Sequence, residues 1–423
     1  MQEIPFHKLT SFGNNFVVID EIDRQWLTEA EKQRFADEAT NINFGIGCDN
    51  LLVVQRCSAQ VLEEINAAHR YWKQIPDPND AELIFRMFEP DGSEAYSCGN
   101  GLMCIARYLS SRYGITQTRI LTKVPMPVPG SVTIGTASEG PDCFANLGNP
   151  ERMFDHLVDR TVLRSLDESI DLIENLEIRQ YRATDAIRFF NSSAAFCLRG
   201  YLVFTGEPHL VILSDNGFSL RDPIEHIFPT SFEESRTGRF SNKRMSTGAA
   251  LVNFIGYYFV KNYRHVFPKG ININFVRKFP GEEIIEYRCF ERGINKETLA
   301  CGTGALACAF VMRSLEMATS DDIRLWPYLC RTQRHDAEIR VKKVRAGWQI
   351  SGQPTLLFDG RFAMQADSFK KIHLEDQGDL GDCPQPGPAD AFPPGDPDLP
   401  MPPHRPEEAS APAGDPEAAR NVR

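Results

Sequence analysis

The spacing that builds zinc sites is missing from this sequence. No CxxC pair occurs and the nine histidines are scattered over 423 residues, so no metal is expected. Clustered positive charge is missing as well. With 46 Lys and Arg against 57 Asp and Glu, the formal net charge is -11 and the isoelectric point lies near 5.4. No long basic stripe offsets this, which argues against nucleic acid or an anionic membrane as a partner. There is no uninterrupted apolar run of about 18 residues, the length that spans a bilayer. The opening MQEIPFHKLTSFGNNFVVID lacks the basic start, apolar middle and small-residue cleavage site of a signal peptide. A soluble, cytoplasmic protein is therefore expected. The eleven cysteines are not expected to form a disulfide framework there, because intracellular thiols are kept reduced.

The length suggests two domains with additional segments. From Gly378 the composition changes to a stretch that holds twelve of the 28 prolines and few large apolar residues. Such a segment cannot bury enough surface to offset its chain entropy. Residues 378–423 are thus expected to be a disordered tail, with a Pro-rich ligand for a partner as the sharper alternative. The body carries short apolar or alternating runs (NFVVID, NLLVVQ, ELIFRMF, HLVILS, ININFV, EIIEYRCF, AEIRVKKV and GWQISG) punctuated by Gly, Pro, Asn and Asp. These read as strands. Helical patterns are fewer, one around VLEEINAAHRYWKQ and two apolar ones beginning at Gly101 and Gly304. The fold class is a mixture of helix and strand, with strands in excess.

An internal repeat is more informative. Residues 94–109 read EAYSCGNGLMCIARYL and residues 297–312 read ETLACGTGALACAFVM. In both, Glu, Cys and two Gly fall in register before an apolar helical run, which suggests two related halves facing each other. Each Cys sits where a strand-like segment turns into a helix. There the unpaired backbone N–H groups and the helix dipole favour negative charge, so the thiols of Cys98 and Cys301 are expected to be lowered toward neutrality. The adjoining glycines let consecutive N–H groups point at an anion such as an α-carboxylate, and the same donors would stabilise charge developing on it. Inverting a stereocentre without a cofactor needs one base on each face of the carbon, which two equivalent thiols supply. The bland alternative is that both cysteines merely pack. Cys104 and Cys308, on apolar stretches of the same helices, are expected in the core, and the remaining cysteines are expected to pack or lie at the surface.

Six blocks in order, FHKLTSFGNNFVVID, FGIGCDNLLVV, FRMFEPDGSEAYSCGNG, TGEPHLVIL, FPKGININFV and ERGINKETLACGTGA, resemble the diaminopimelate epimerase family across most of the chain before the tail. The resemblance implies an α+β fold of two similar domains, each a central helix wrapped by a β-barrel-like sheet, with an amino-acid substrate closed between them. It implies halves at 1–145 and 146–377, with the last strand returning to the first half, and neither pyridoxal phosphate nor metal. By position, Cys98 and Cys301 match the acid and base pair, inverting L,L-diaminopimelate to the meso form. Gly99 with Asn100 and Gly302 with Thr303 match the carboxylate cradle. Asn14, Asn272 and Arg292 match substrate-contacting positions, Asn50 is a further candidate contact at which the residue differs, and His209 and Glu291 match polar residues near the reacting carbon. Asn14 and Asn272 could instead be turn residues, and Glu291 with Arg292 a surface pair.

The chain also departs from the family. FEPDGSE places Glu89 where the family has Asn, GEPH places Glu207 at another Asn position, and Asn50 replaces a frequent Gln or Gly. Two carboxylates at the distal end of the substrate would disfavour a second carboxylate and favour a cationic side chain. Retained Arg292 either receives a distal carboxylate or neutralises a neighbouring Glu. Insertions near 57–80 and 215–262 complete the differences. In the second, the apolar LVNFIGYYFV is too short for a membrane and is expected as core strand or helix, or as a subunit contact. A proline-racemase-like enzyme is a competing reading, but CGNG and ACGTGA favour the first family. A binding or regulatory protein that lost turnover is another, and a disulfide between the paired thiols is expected only as an inactivated form. Whether the protein forms a homodimer stays open.

Overall fold

A computed structural model describes residues 2–138, 142–179, 195–218, 226–240 and 242–364. The Pro-rich tail expected at 378–423 and parts of the insertion near 215–262 lie outside the described residues. Residues Met1–Ala366 form one compact unit.

The first strands are β1 (Gln2–Ser11), β2 (Asn14–Glu21), β3 (Asn50–Arg56), β4 (Leu83–Phe88), β5 (Glu94–Ala95), β6 (Gln117–Thr122), β7 (Gly130–Thr136) and β8 (Cys143–Gly148), with helices α1 (Glu29–Thr40), α2 (Ala59–His69) and α3 (Gly99–Tyr113). They are followed by β9 (Leu163–Ser165), β10 (Asp171–Ile178), β11 (Phe196–Phe204), β12 (Pro208–Leu213), β13 (Asn272–Lys278), β14 (Ile284–Glu291), β15 (Lys296–Thr298), β16 (Asp322–Pro327), β17 (Ile339–Val344), β18 (Gly347–Gly352) and β19 (Thr355–Met364). The remaining helices are α4 (Phe232–Thr237), α5 (Asn242–Asn262), α6 (Gly302–Ser314) and α7 (Tyr328–Arg331). All eight runs expected as strands are strands, and strands outnumber helices.

Strand pairing is duplicated. The parallel pair β2–β3 recurs as β12–β13, the antiparallel pair β3–β4 as β13–β14, and the parallel pair β4–β6 as β14–β16. The two copies join where β8 pairs with β18, and β19 closes the order by pairing with β1. The boundary expected between residues 145 and 146 falls inside β8. The register makes Glu89 the counterpart of Glu291, because Phe88 faces Glu94 as Phe290 faces Glu297.

Helices α3 and α6 run through the two copies. An amphipathic surface helix would show one polar face, but α6 buries nearly every residue from Gly302 to Met312, as a helix enclosed by sheet must. On α3, Leu102, Met103, Ile105 and Leu109 are buried against Phe85, Met87 and Ile134 of the surrounding strands. Each such side chain contributes on the order of 1.5–3 kcal/mol on leaving water. The helices begin at Gly99 and Gly302, two residues earlier than expected, since Cys98 and Cys301 act as N-caps, a position usually held by Ser, Thr, Asp or Asn. Cys104 and Cys308 lie in the core as expected. The inserted α2 covers the outer face of β4 through Leu62 and Ile65, and α5, containing LVNFIGYYFV, packs Leu251, Val252, Ile255 and Phe259 on the outer face of the second copy. No helix among the described residues is long and apolar enough to cross a membrane.

The glutamate of the repeat is structural. Glu94 takes a paired set of hydrogen bonds from Arg86 at 2.8 and 2.6 Å, and Glu297 takes the same from Arg288 at 2.6 and 2.7 Å. Both arginines are buried in the strand before the Cys turn, so each pair ties that turn to its sheet. Replacing Arg288 by Met would leave the Glu297 carboxylate buried and unpaired, a loss of about 3–5 kcal/mol. Urea unfolding should show it, and a change under about 1 kcal/mol would contradict the assignment.

Candidate active site

Each repeated turn puts its sulfur at a helix N-terminus. Cys98 accepts the Gly101 N–H at 3.3 Å and Cys301 accepts the Gly304 N–H at 3.3 Å. The two N-termini meet. A Cβ built on Gly99 would lie 3.3 Å from Gly302 Cα, and the Asn100 side-chain amide donates to the Ala300 carbonyl at 3.0 Å. A side chain at position 99 would crowd this approach, which is why glycine suits it.

A cavity of about 390 Å³ opens at this junction, a volume suited to a small ligand. Asn14, Asn50, Glu89, Cys98, Gly99, Asn100, Glu207, Asn272, Glu291, Arg292, Cys301, Gly302 and Thr303 all line it. Of the residues singled out in the sequence, only His209 is set back. It is fully buried behind Thr303, with Nε2 3.1 Å from Thr303 Oγ1 and Nδ1 3.0 Å from the Asn274 amide nitrogen. Burial, aided by the Arg292 charge, lowers its pKa to about 3, so the ring is neutral. An amide donor on Nδ1 fixes the ring proton on Nε2, facing the Thr303 oxygen. The Thr303 hydroxyl is then free to donate to Cys301 Sγ, 3.4 Å away.

The two thiols are not equivalent. Cys301 is held below its ordinary pKa by hydrogen bonds from Cys289, Thr303 and the Gly304 N–H, working against burial. Cys98 has only the Gly101 N–H to set against burial, and its pKa is raised well above the ordinary value. The expectation that both thiols are lowered is therefore corrected for Cys98. One N–H and a helix dipole do not offset the loss of water around a thiolate.

Opposite the thiols the charges are paired internally. Arg292 places Nε 2.9 Å from Glu207 Oε2 and a second guanidinium nitrogen on the same oxygen, while Nη1 donates to the Lys269 carbonyl at 3.1 Å. Its guanidinium lies over the Tyr96 ring, and its backbone N–H donates to Asn272 Oδ1 at 2.9 Å. Of the two roles left for Arg292, the structure has it neutralising Glu207. Glu89 accepts the Asn50 amide at 2.8 Å. Burial and the nearby Glu207 raise its pKa to about 7. Asn14 Oδ1 and Asn100 Oδ1 are buried acceptors with no donor among the described residues.

A sequence profile described as diaminopimelate epimerase matches residues 6–153. A diaminopimelate epimerase from Methanothrix thermoacetophila is 27% identical over 321 residues, spanning 74% of this chain and 83% of its own length. Another, from Acinetobacter baumannii strain AYE, is 25% identical over 374 residues, spanning 86% and 98%. The chain is similar to diaminopimelate epimerases, through the profile over its first part and through these relatives over most of its length. This similarity supports an isomerase. Among solved structures, a hydroxyproline epimerase from Agrobacterium vitis with bound trans-4-hydroxy-L-proline aligns over 85% of this chain and 92% of its own, at 10% identity and a TM-score of 0.48.

Two residues not singled out in the sequence also reach this site. Tyr71, from the inserted segment that follows α2, lines the cavity and donates its hydroxyl to Glu94 at 3.2 Å. Cys289 brings its sulfur, with a Glu291 carboxylate oxygen and Cys301 Sγ, into a group whose atoms lie within 4.8 Å of one another. Cys289 could have been found in advance, because a residue two before Glu291 on a strand shares its face.

Proposed function

We propose that the protein inverts the α-carbon of an amino acid by two-base proton transfer between Cys98 and Cys301, without a cofactor. The observation that supports this best is the meeting of two Cys-capped helix N-termini at one cavity. The backbone N–H groups of Gly99, Asn100, Gly302 and Thr303 would hold the α-carboxylate, where the converging positive helix ends favour an anion. The orphan acceptors Asn14 Oδ1 and Asn100 Oδ1 suit the α-ammonium. One sulfur takes the α-proton, and the other delivers a proton to the opposite face. Each copy of the strand pattern would then be a half of the enzyme, contributing one helix and one thiol.

The nominal substrate is L,L-diaminopimelate, a reading supported by relatives that bear the name diaminopimelate epimerase. The Glu207–Arg292 pair favours a second reading, a basic amino acid. With Arg292 engaged by Glu207 and Glu89 beside it, that end of the cavity gives a second carboxylate less attraction and a cationic side chain less repulsion, Lys269 being the other basic residue that lines it. Chiral chromatography after incubation with L,L-diaminopimelate, L-lysine and L-ornithine tests both readings. Turnover of diaminopimelate alone would end the basic-substrate reading, and inversion of none of them would leave a binding protein.

Glu89 gives the basic reading a pH signature. Its carboxyl loses its proton as pH rises through about 7, so negative charge appears beside the distal end only above that pH. The KM for a basic substrate should therefore fall between pH 6 and 8, and Glu89→Gln should remove that fall. A flat KM in the unmodified enzyme would contradict the assignment.

A further inference from the structure

We propose that Cys289 is a positioning residue for the inversion, its S–H directed at Cys301 Sγ so that the resting enzyme carries a thiolate at Cys301 and a thiol at Cys98. The inference rests on the two-thiol reading above and adds a direction to it.

The duplicated fold supplies the comparison. Met87 and Cys289 occupy equivalent places, since Met87 faces Ala95 and Cys289 faces Thr298 one step before the paired Phe88 and Phe290. Both side chains lie on the face of the sheet turned to the central helices. Methionine has no proton to give and cysteine has one. The turn residues differ in the same sense. Thr303 sits 3.4 Å from Cys301 Sγ, whereas its counterpart Asn100 spends its amide on the Ala300 carbonyl. The Cys289 sulfur thus lies within 4.8 Å of Cys301 Sγ and the Thr303 hydroxyl 3.4 Å from it, whereas among the described residues only the Gly101 backbone N–H donates to Cys98 Sγ.

The groups facing Cys301 from the packed elements are Cys289, Tyr287 and Glu291 on β14, Cys98 at the N-cap of α3, Cys308 on α6, and Glu207 before β12. Glu207 is held by Arg292. The Tyr287 hydroxyl bonds the Cys301 backbone rather than its sulfur. Burial and the Glu207 carboxylate oppose a thiolate at Cys301, so the donors have to outweigh them. The lowered Cys301 thiol and the raised Cys98 thiol agree with that balance.

In the step, the substrate Cα–H bond breaks toward the Cys301 thiolate, and Cys98 S–H gives its proton to the opposite face. The enzyme is left with a thiol at Cys301 and a thiolate at Cys98. A substrate of the opposite configuration, or proton exchange with water, restores the resting form. No oxidant or reductant takes part. The resting form thus accepts the enantiomer whose α-hydrogen faces Cys301.

The test is alkylation by iodoacetamide from pH 5 to 10, with each modified cysteine identified by peptide mass mapping, in the unmodified enzyme, Cys289→Val and Cys289→Ser. The Cys301 midpoint should lie below that of Cys98. Valine should raise it so that Cys301 alkylation at pH 7 slows roughly tenfold, about one pKa unit. Serine, which restores a donor, should keep the midpoint near that of the unmodified enzyme. Protection of Cys308 reports an intact core, and if valine exposes Cys308, Cys289→Ala poses the same question. An unchanged Cys301 midpoint in a folded valine or alanine variant, or equal losses for serine and valine, would overturn the proposal. The assay reads no turnover. Absence of inversion alongside the expected midpoints would count against the proposed function and leave the role of Cys289 standing.

Discussion

Glu207→Asn combined with Glu89→Asn is expected to move the enzyme's preference from basic amino acids toward diaminopimelate. In the native site the Arg292 guanidinium is engaged by one carboxylate, and a second, Glu89, lines the same cavity. Removing both carboxylates frees a planar donor fork suited to bidentate binding of a carboxylate. It also removes the two charges that would repel a distal carboxylate. A new Arg–carboxylate interaction with one substrate and a weaker attraction for the other both act on the ratio of kcat/KM values. A shift of about 100-fold, equivalent to roughly 2.7 kcal/mol, is expected. Competition between L,L-diaminopimelate and L-lysine measures that ratio directly. A ratio that moves less than about threefold would mean that the glutamates do not set the choice of substrate. Glu207→Asn alone should capture most of the shift, because Glu207 is the partner that occupies Arg292.

Much of this architecture could be read in advance. NLLVVQ and ELIFRMF are short apolar runs bounded by turn residues, and both are strands buried on two faces because helices cover each side. The equivalence of the two Cys turns was visible because Glu, Cys and two Gly recur in register. What the repeat did not disclose was the reason for its glutamate. Glu94 and Glu297 hold the turns through Arg86 and Arg288, and that role depends on a strand register that no local pattern specifies. The cavity residues were legible as types and positions, but their pairing was not. Glu207 and Arg292 are far apart in sequence and meet because β12 and β14 both flank β13. The difference between the thiols was hidden for another reason. Both turns show the same motif, while burial and side-chain donors, which decide protonation, come from neighbouring strands. Tyr71 was equally out of reach, since it follows an inserted helix whose packing has no signature in the repeat.

Inversion measured in deuterium oxide with Cys98→Ala and Cys301→Ala tests the central claim most directly. Each thiol acts on one face of the α-carbon, so neither can replace the other. Loss of a positioned acid or base typically costs about 10²–10⁴-fold. Both variants should therefore lose inversion by at least about 100-fold, while the unmodified enzyme yields product of opposite configuration carrying deuterium at the α-carbon. Inversion at the unmodified rate in either alanine variant would contradict the account.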